Sequence, residues 1–86
     1  MNIREFLAES DPELLFLSEN KYDEAIIGLC ESFKGICVAY DLNKIIDILK
    51  RDMSHDDALE WYAYNMVGAY MGDHTPVFIS RMDDTK

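Results

Sequence analysis

The sequence predicts an α+β domain: a small sheet, made of a β-hairpin and a C-terminal strand, with helices packed on one face. Three observations predict it. Two short apolar runs, at residues 25–31 and 36–40, are separated by Ser32-Phe33-Lys34-Gly35, a turn with a glycine. From Leu42 to Met71 apolar residues recur at helical spacing in two blocks, each opened by a capping residue. The run Thr75-Pro76-Val77-Phe78-Ile79 then returns to a strand pattern. A chain of 86 residues corresponds to one domain, residues 1–86.

The first 20 residues read as a helical or irregular segment. Ile3, Phe6 and Leu7 have helical spacing, and Ser10-Asp11-Pro12-Glu13 is a helix-start signal that would open a short helix through Leu17. Leu14-Leu15-Phe16-Leu17 fits an extended run equally well. In the hairpin, a four-residue loop sets Glu31 opposite Ile36, Leu29 opposite Val38 and Ile27 opposite Tyr40. One face would then carry Ala25, Ile27, Leu29, Val38 and Tyr40, the natural floor for helices. The other would carry Ile26, Gly28, Cys30, Cys37 and Ala39, with Gly28 permitting close approach.

Asp41 can cap a helix over about residues 42–51, whose core stripe is Leu42, Ile45, Ile46 and Leu49. Lys50 and Arg51 suit its negative end. Ser54, with Asp57 three residues on, opens a second helix expected to reach about Met71, where Gly72 is the left-handed stop. Pro76 places the last strand at an edge, or begins it, and a right-handed crossover would set that strand parallel to the second. The tail, residues 80–86, is polar and expected to be loose.

Charge and size exclude several function classes. Lys and Arg number 8 against 17 Asp and Glu, a formal net charge of −9, and such a surface repels phosphate, so direct nucleic-acid binding is not expected. The chain is too short for a dinucleotide-binding enzyme or a barrel, and its 12% aromatic content argues against disorder. No uncharged apolar stretch approaches the roughly 20 residues that cross a bilayer, and residues 1–20 lack the pattern of a secretion signal. A cytoplasmic protein with reduced thiols and no membrane contact is the expectation.

Motifs for chemistry are sparse. His55-Asp56-Asp57 evokes metal-dependent phosphohydrolases, but those sites need further His and Asp ligands, His74 is the only other histidine, and the run reads instead as a polar first helical turn. Cys30 and Cys37 face one another across the hairpin, read first as two small buried hydrophobes and otherwise as a cross-strand disulfide or redox pair. The glycines are too scattered to make a phosphate loop, and no catalytic set or cofactor motif is found. Asn65 would be a buried amide bracing Thr75 or the turn at 72–75.

The helix opened by Ser54 is the most informative segment. Leu59, Tyr62, Met66, Ala69 and Tyr70 form one apolar stripe, expected to face the core, and Trp61, Tyr64, Gly68 and Met71 form a second. The second stripe can be covered by the N-terminal segment through Phe6, Leu14 and Phe16, by a second copy in a homodimer, or by a different protein. Acids concentrate nearby: Asp52, Asp56, Asp57, Glu60 and Asp73 lie in a stretch, residues 52–73, that has no Lys or Arg. Glu13, Glu19, Asp23 and Glu24 form the next group.

A set of short motifs is shared with known proteins. Tyr22-Asp23-Glu24-Ala25-Ile26-Ile27-Gly28, Tyr40-Asp41, Ile48-Leu49, Ala58, Glu60-Trp61, Asn65, Gly68-Ala69-Tyr70, Gly72 and Thr75-Pro76-Val77-Phe78 together resemble a family of small acidic proteins encoded mainly by bacteriophages and prophages, of uncharacterised function. The resemblance spans about residues 22–79. It implies phage origin and action in the bacterial cytoplasm, and it carries over no catalytic residues.

These readings lead to one expectation and two alternatives. The expected function is a non-catalytic phage accessory protein that binds a bacterial host protein and modulates or inhibits it, for example a CRISPR–Cas or restriction defence system. Carboxylates offer Arg and Lys the same charge as phosphates do. Asp52, Asp56, Asp57, Glu60 and Asp73 would form the acidic patch, and Trp61, Tyr64, Gly68 and Met71 the oligomer or partner interface. The alternatives are a homo-oligomeric structural or assembly protein, and a small-molecule binder with a pocket lined by Tyr40, Tyr62, Asn65 and Tyr70.

Overall fold

Asp41 and Ser54 set the helical part of the fold. The Asp41 side chain accepts a hydrogen bond from the Lys44 amide at 3.3 Å and opens helix α2 (Leu42–Leu49). Ser54 accepts from the Asp57 amide at 3.2 Å and opens α3 (His55–Tyr62). The computed structural model describes residues 3–33, 35–67, 72 and 74–82. Before these helices come α1 (Ile3–Ser10), a 3₁₀ helix (Asn20–Ala25) and the strands β1 (Ile26–Ser32) and β2 (Gly35–Asp41). After α3 follow a π-helical turn (Ala63–Val67) and the strand β3 (Val77–Ile79).

The sheet is three-stranded in the order β1-β2-β3, with β1 antiparallel and β3 parallel to the central β2. The α+β expectation, a hairpin plus a C-terminal strand, holds, and β3 lies at an edge as Pro76 suggested. The hairpin loop is two residues long, closed by the pair Ser32 and Gly35. Gly35 has φ of 132°, a left-handed geometry that β-carbon sterics discourage in other residues.

The register near the turn is as expected, with Glu31 opposite Ile36 and Leu29 opposite Val38. It departs from expectation farther on. A bulge between Ile26 and Gly28 puts Ile26, not Ile27, opposite Tyr40. The extra residue reverses which isoleucine meets the helices: Ile26 packs on the core, and Ile27 is 46% exposed. Leu29, expected on the core floor, is exposed at the outer strand. A β-carbon on Gly28 would meet nothing within 4 Å, so close packing does not demand that glycine.

The core joins Leu7, Leu14, Tyr22, Ala25, Val38, Tyr40, Ile45, Ile46, Ile48, Leu49, Ala58 and Met66. Ile48 is an addition to the α2 stripe read from spacing, and Leu42 is only partly buried. Tyr40 is 0% exposed. Its ring lies 5.9 Å from Phe78 of β3, and its hydroxyl oxygen accepts a hydrogen bond from the Leu17 amide at 3.0 Å. Burial raises the Tyr40 pKa, partly offset by that hydrogen bond.

The N-terminal segment docks through polar as well as apolar groups. Arg4 Nε donates to both Asp23 carboxylate oxygens at 2.9 and 3.0 Å, and its Nη2 donates to the Leu17 carbonyl at 2.6 Å. The Arg4 guanidinium also sits 4.9 Å from the Phe16 ring centroid. The expected helix from Pro12 to Leu17 is absent. Asp11 accepts from the Glu13 amide at 3.0 Å, a local turn, and the chain then runs irregularly to Leu17, whose carbonyl accepts from Arg4 and whose amide donates to Tyr40.

The α3 segment also departs from expectation. Regular α-helix runs to Tyr62 and i→i+5 bonding takes over from Ala63 to Val67, whereas the expected end near Met71 lies outside the described residues. Leu59, expected in the core, is 45% exposed, and Ala58 and Met66 are the residues buried there, with Trp61 and Tyr62 partly buried against them. Tyr62 meets Phe78 edge-on at 5.2 Å. Gly72 has the positive φ of 99° expected of a stop, whereas Gly68, Ala69, Tyr70, Met71 and Asp73, together with residues 83–86 of the tail, lie outside the described residues.

Two substitutions test this architecture. Tyr40→Phe strands the Leu17 amide and should cost about 1–3 kcal/mol, read as a lower urea midpoint with unchanged slope. Ile26→Ala should lower stability more than Ile27→Ala, because large-to-small changes are costly where the side chain is packed. Equal costs would contradict the bulged register.

Candidate functional site

Asp57, Glu60 and Trp61 follow at i, i+3 and i+4 on one side of α3, and Tyr64 follows in the π turn. With Met53 and Asn65 they line an open groove with a volume of about 480 Å³. Trp61 is half-buried, its inner side packed on the core, and Tyr64 is 80% exposed. Asn65 is on the surface, not buried as expected: its Nδ2 donates to the Trp61 carbonyl at 3.0 Å across the π turn.

The groove therefore unites members of two sets that the sequence suggested separately. Asp57 and Glu60 come from the acidic patch, and Trp61 and Tyr64 from the aromatic stripe. Asp52 and Asp56 are exposed but do not line the groove, and Asp52 acts electrostatically on Tyr22 instead. Burial, with Glu19 and Asp52 adding to it, raises the Tyr22 pKa. Asp73, Gly68 and Met71, the remaining residues of the two sets, are outside the described residues. Met53 was not singled out from sequence because it sits in the turn between α2 and α3, where no periodicity marks it. Phe33, at the hairpin tip, is 98% exposed and likewise carries no sequence signal beyond its apolarity in a loop.

The second-ranked acids have a different role. Asp23 pairs with Arg4 at 2.9 Å, Glu19 with Lys21 at 3.7 Å, and Glu24 with both Arg51 at 3.0 Å and Lys44 at 3.4 Å. The hydrogen bond from Arg51, reinforced by Lys44, holds the Glu24 carboxyl below its ordinary range. These acids bind the fold's own bases. Among the described residues, no ion pair engages Asp57 or Glu60.

The metal and small-molecule alternatives are dispersed in space. His55 lies in another groove, of about 300 Å³, with Leu42, Asn43, Ile46, Asp47, Lys50 and Leu59, apart from Asp57. Among the described residues no three His, Cys, Asp or Glu side chains converge as a metal ion requires. Tyr40 lies in the core and Asn65 on the surface, so these two do not share a pocket, and Tyr70 is outside the described residues. Among the described residues no helix is long and apolar enough to cross a membrane.

His74 performs a structural task beside β2. A carbonyl can only accept, so His74 Nδ1 donates to the Ile36 carbonyl, at 2.8 Å, and Nε2 lies 3.3 Å from Glu13. The Ile36 hydrogen bond first, then the Glu13 and Asp11 carboxylates, raise the His74 pKa above 6.5. No family model matches the chain, and neither a curated protein nor a solved structure does.

A folded-state pKa above the unfolded one stabilises the protein fully below the unfolded value and ceases to do so as pH rises through the folded value. Wild type should therefore exceed His74→Gln in stability by more at about pH 6 than at about pH 8.5, in urea titrations at both values. A difference independent of pH would mean that only the Ile36 hydrogen bond matters.

Proposed function

We propose that this chain is a non-catalytic binding protein whose α3 groove receives a basic side chain of a bacterial protein partner. The observation that carries the reading is the convergence of Asp57, Glu60, Trp61 and Tyr64 on one open groove. An Arg or Lys head entering it would meet two carboxylates and the faces of two aromatic rings. Charge-assisted hydrogen bonds and cation–π contact both favour such a guest, the latter by about 0.5–2 kcal/mol. Trp and Tyr are also the residues that dominate binding energy at protein interfaces.

The partner class follows from charge. A net charge of −9 steers the molecule toward basic surfaces, and bacterial proteins that handle nucleic acid present Arg and Lys on such surfaces. Occupying one of them would modulate or inhibit that protein. The resemblance to small acidic phage proteins supports a host target of this type, with CRISPR–Cas and restriction enzymes as the first candidates, met in the host cytoplasm.

Trp61 is the sole tryptophan, so its fluorescence reports on the groove directly. Titration with arginine-rich peptides, and with purified nucleic-acid-binding defence proteins, should shift Trp61 emission at low salt and progressively less as salt rises. Glu60→Lys and Asp57→Lys should each weaken binding about tenfold or more, the signature of reversed charge at an electrostatic contact. Affinity unchanged by either reversal, or binding insensitive to salt, would defeat the reading.

A further inference from the structure

Cys30 and Cys37 are direct cross-strand partners in the β1–β2 ladder, and both are free thiols. Opposed residues of an antiparallel pair have Cα atoms about 4.5–5.5 Å apart, inside the roughly 4.4–6.8 Å that a disulfide spans. Ile36, Val38 and Tyr40 of β2 point into the core, so alternation places Cys37 on the sheet face opposite the helices, and its ladder partner Cys30 with it. Neither cysteine belongs to the core cluster. Cys30 is half-buried and Cys37 is buried.

We propose that this dithiol is an oxidant-responsive modification site, at which a peroxide converts Cys30 and Cys37 reversibly into a cross-strand disulfide. The two thiols have unequal roles. Burial, and then the neighbouring Cys30, raise the Cys37 pKa, which makes Cys37 the poorer first nucleophile. Cys30, the more accessible sulfur, attacks the peroxide: an S–O bond forms, the O–O bond breaks, and the leaving hydroxide takes up the proton that Cys30 gives up, as water. Cys37 then displaces the sulfenic oxygen of Cys30, losing its proton as the S–S bond forms and water departs. In total, two thiols and one hydrogen peroxide give one disulfide and two waters.

The pairing favours the second step. Sulfur atoms held opposite one another by the ladder react as an intramolecular pair, which outcompetes encounter with a second molecule. The bridge would also clamp β1 to β2 just beyond the two-residue loop, on the side of Gly28 where the ladder is bulged.

The sequence offers a direct assay. Trypsin cuts after Lys21, Lys34 and Lys44, so a Cys30–Cys37 bridge joins peptide 22–34 to peptide 35–44. Fully reduced protein, treated with hydrogen peroxide at low protein concentration and digested without reductant, should yield this joined pair, about 2 Da lighter than the two free peptides together, and reductant should separate it. The chain should remain monomeric in a non-reducing gel. In Cys37→Ser, Cys30 should accumulate as a sulfenic acid trapped by dimedone, and in Cys30→Ser the remaining thiol should oxidise about tenfold more slowly. Two alkylatable thiols after oxidation of the wild type, a bridge found only between chains, or equal oxidation rates of the two single variants would overturn the proposal.

Discussion

The fold depends on Tyr40. It lies on the central strand, wholly buried, and every layer is referenced to it. Its ring packs near Phe78 of β3, its ladder partner is Ile26 at the bulge, and its hydroxyl accepts from Leu17 in the N-terminal segment. The next residue, Asp41, caps α2. A buried phenol must find a hydrogen-bond partner, and here it finds a backbone amide that no helix or strand satisfies. One side chain thus answers two polar requirements at once. Arg4 completes the arrangement by binding the Leu17 carbonyl and Asp23, so the irregular segment is held by both its donor and its acceptor.

This anchoring leaves the acids of a short chain in two environments, paired with its own bases or, among the described residues, free of them. Asp23 and Glu24 sit in the 3₁₀ helix beside the few bases of the molecule and are paired with them. Asp57 and Glu60 sit on a helix whose neighbours in sequence include no Lys or Arg. The same residue type is therefore internal glue in one half of the chain and outward-facing charge in the other. Surface pairs of this kind each contribute little to stability, about 0–1 kcal/mol.

Helix α3 divides its apolar residues in the same manner. Ala58 and Met66 face inward with the inner edges of Trp61 and Tyr62, and Tyr64 is left outside. The π turn widens the helix at that point, and Asn65 bridges it. Such single-turn π segments often occur at functional sites, because the extra residue re-aims the side chains around it. Here it sets Tyr64 and Asn65 at one end of the groove.

Sequence alone determined what short-range chemistry controls. The caps at Asp41 and Ser54, the hairpin near its turn, the alignment of Cys30 with Cys37, the strand after Pro76 and the acidity of the α3 region were all legible, because each rests on residues within a few positions of one another. The candidate site was half legible: the composition of its two sets could be read, but not that only Asp57, Glu60, Trp61 and Tyr64 among the described members would meet around Met53. Tertiary structure decided the bulge that exchanges Ile27 for Ile26, the exposure of Leu59, the irregular path of residues 11–17 and the end of regular helix at Tyr62. At the bulge and at Leu17 a distant partner outbids local preference. Tyr40 takes the Leu17 amide that a helix would have used, Arg4 binds the Leu17 carbonyl, and the sheet admits one extra residue so that Ile26, rather than Ile27, reaches the core.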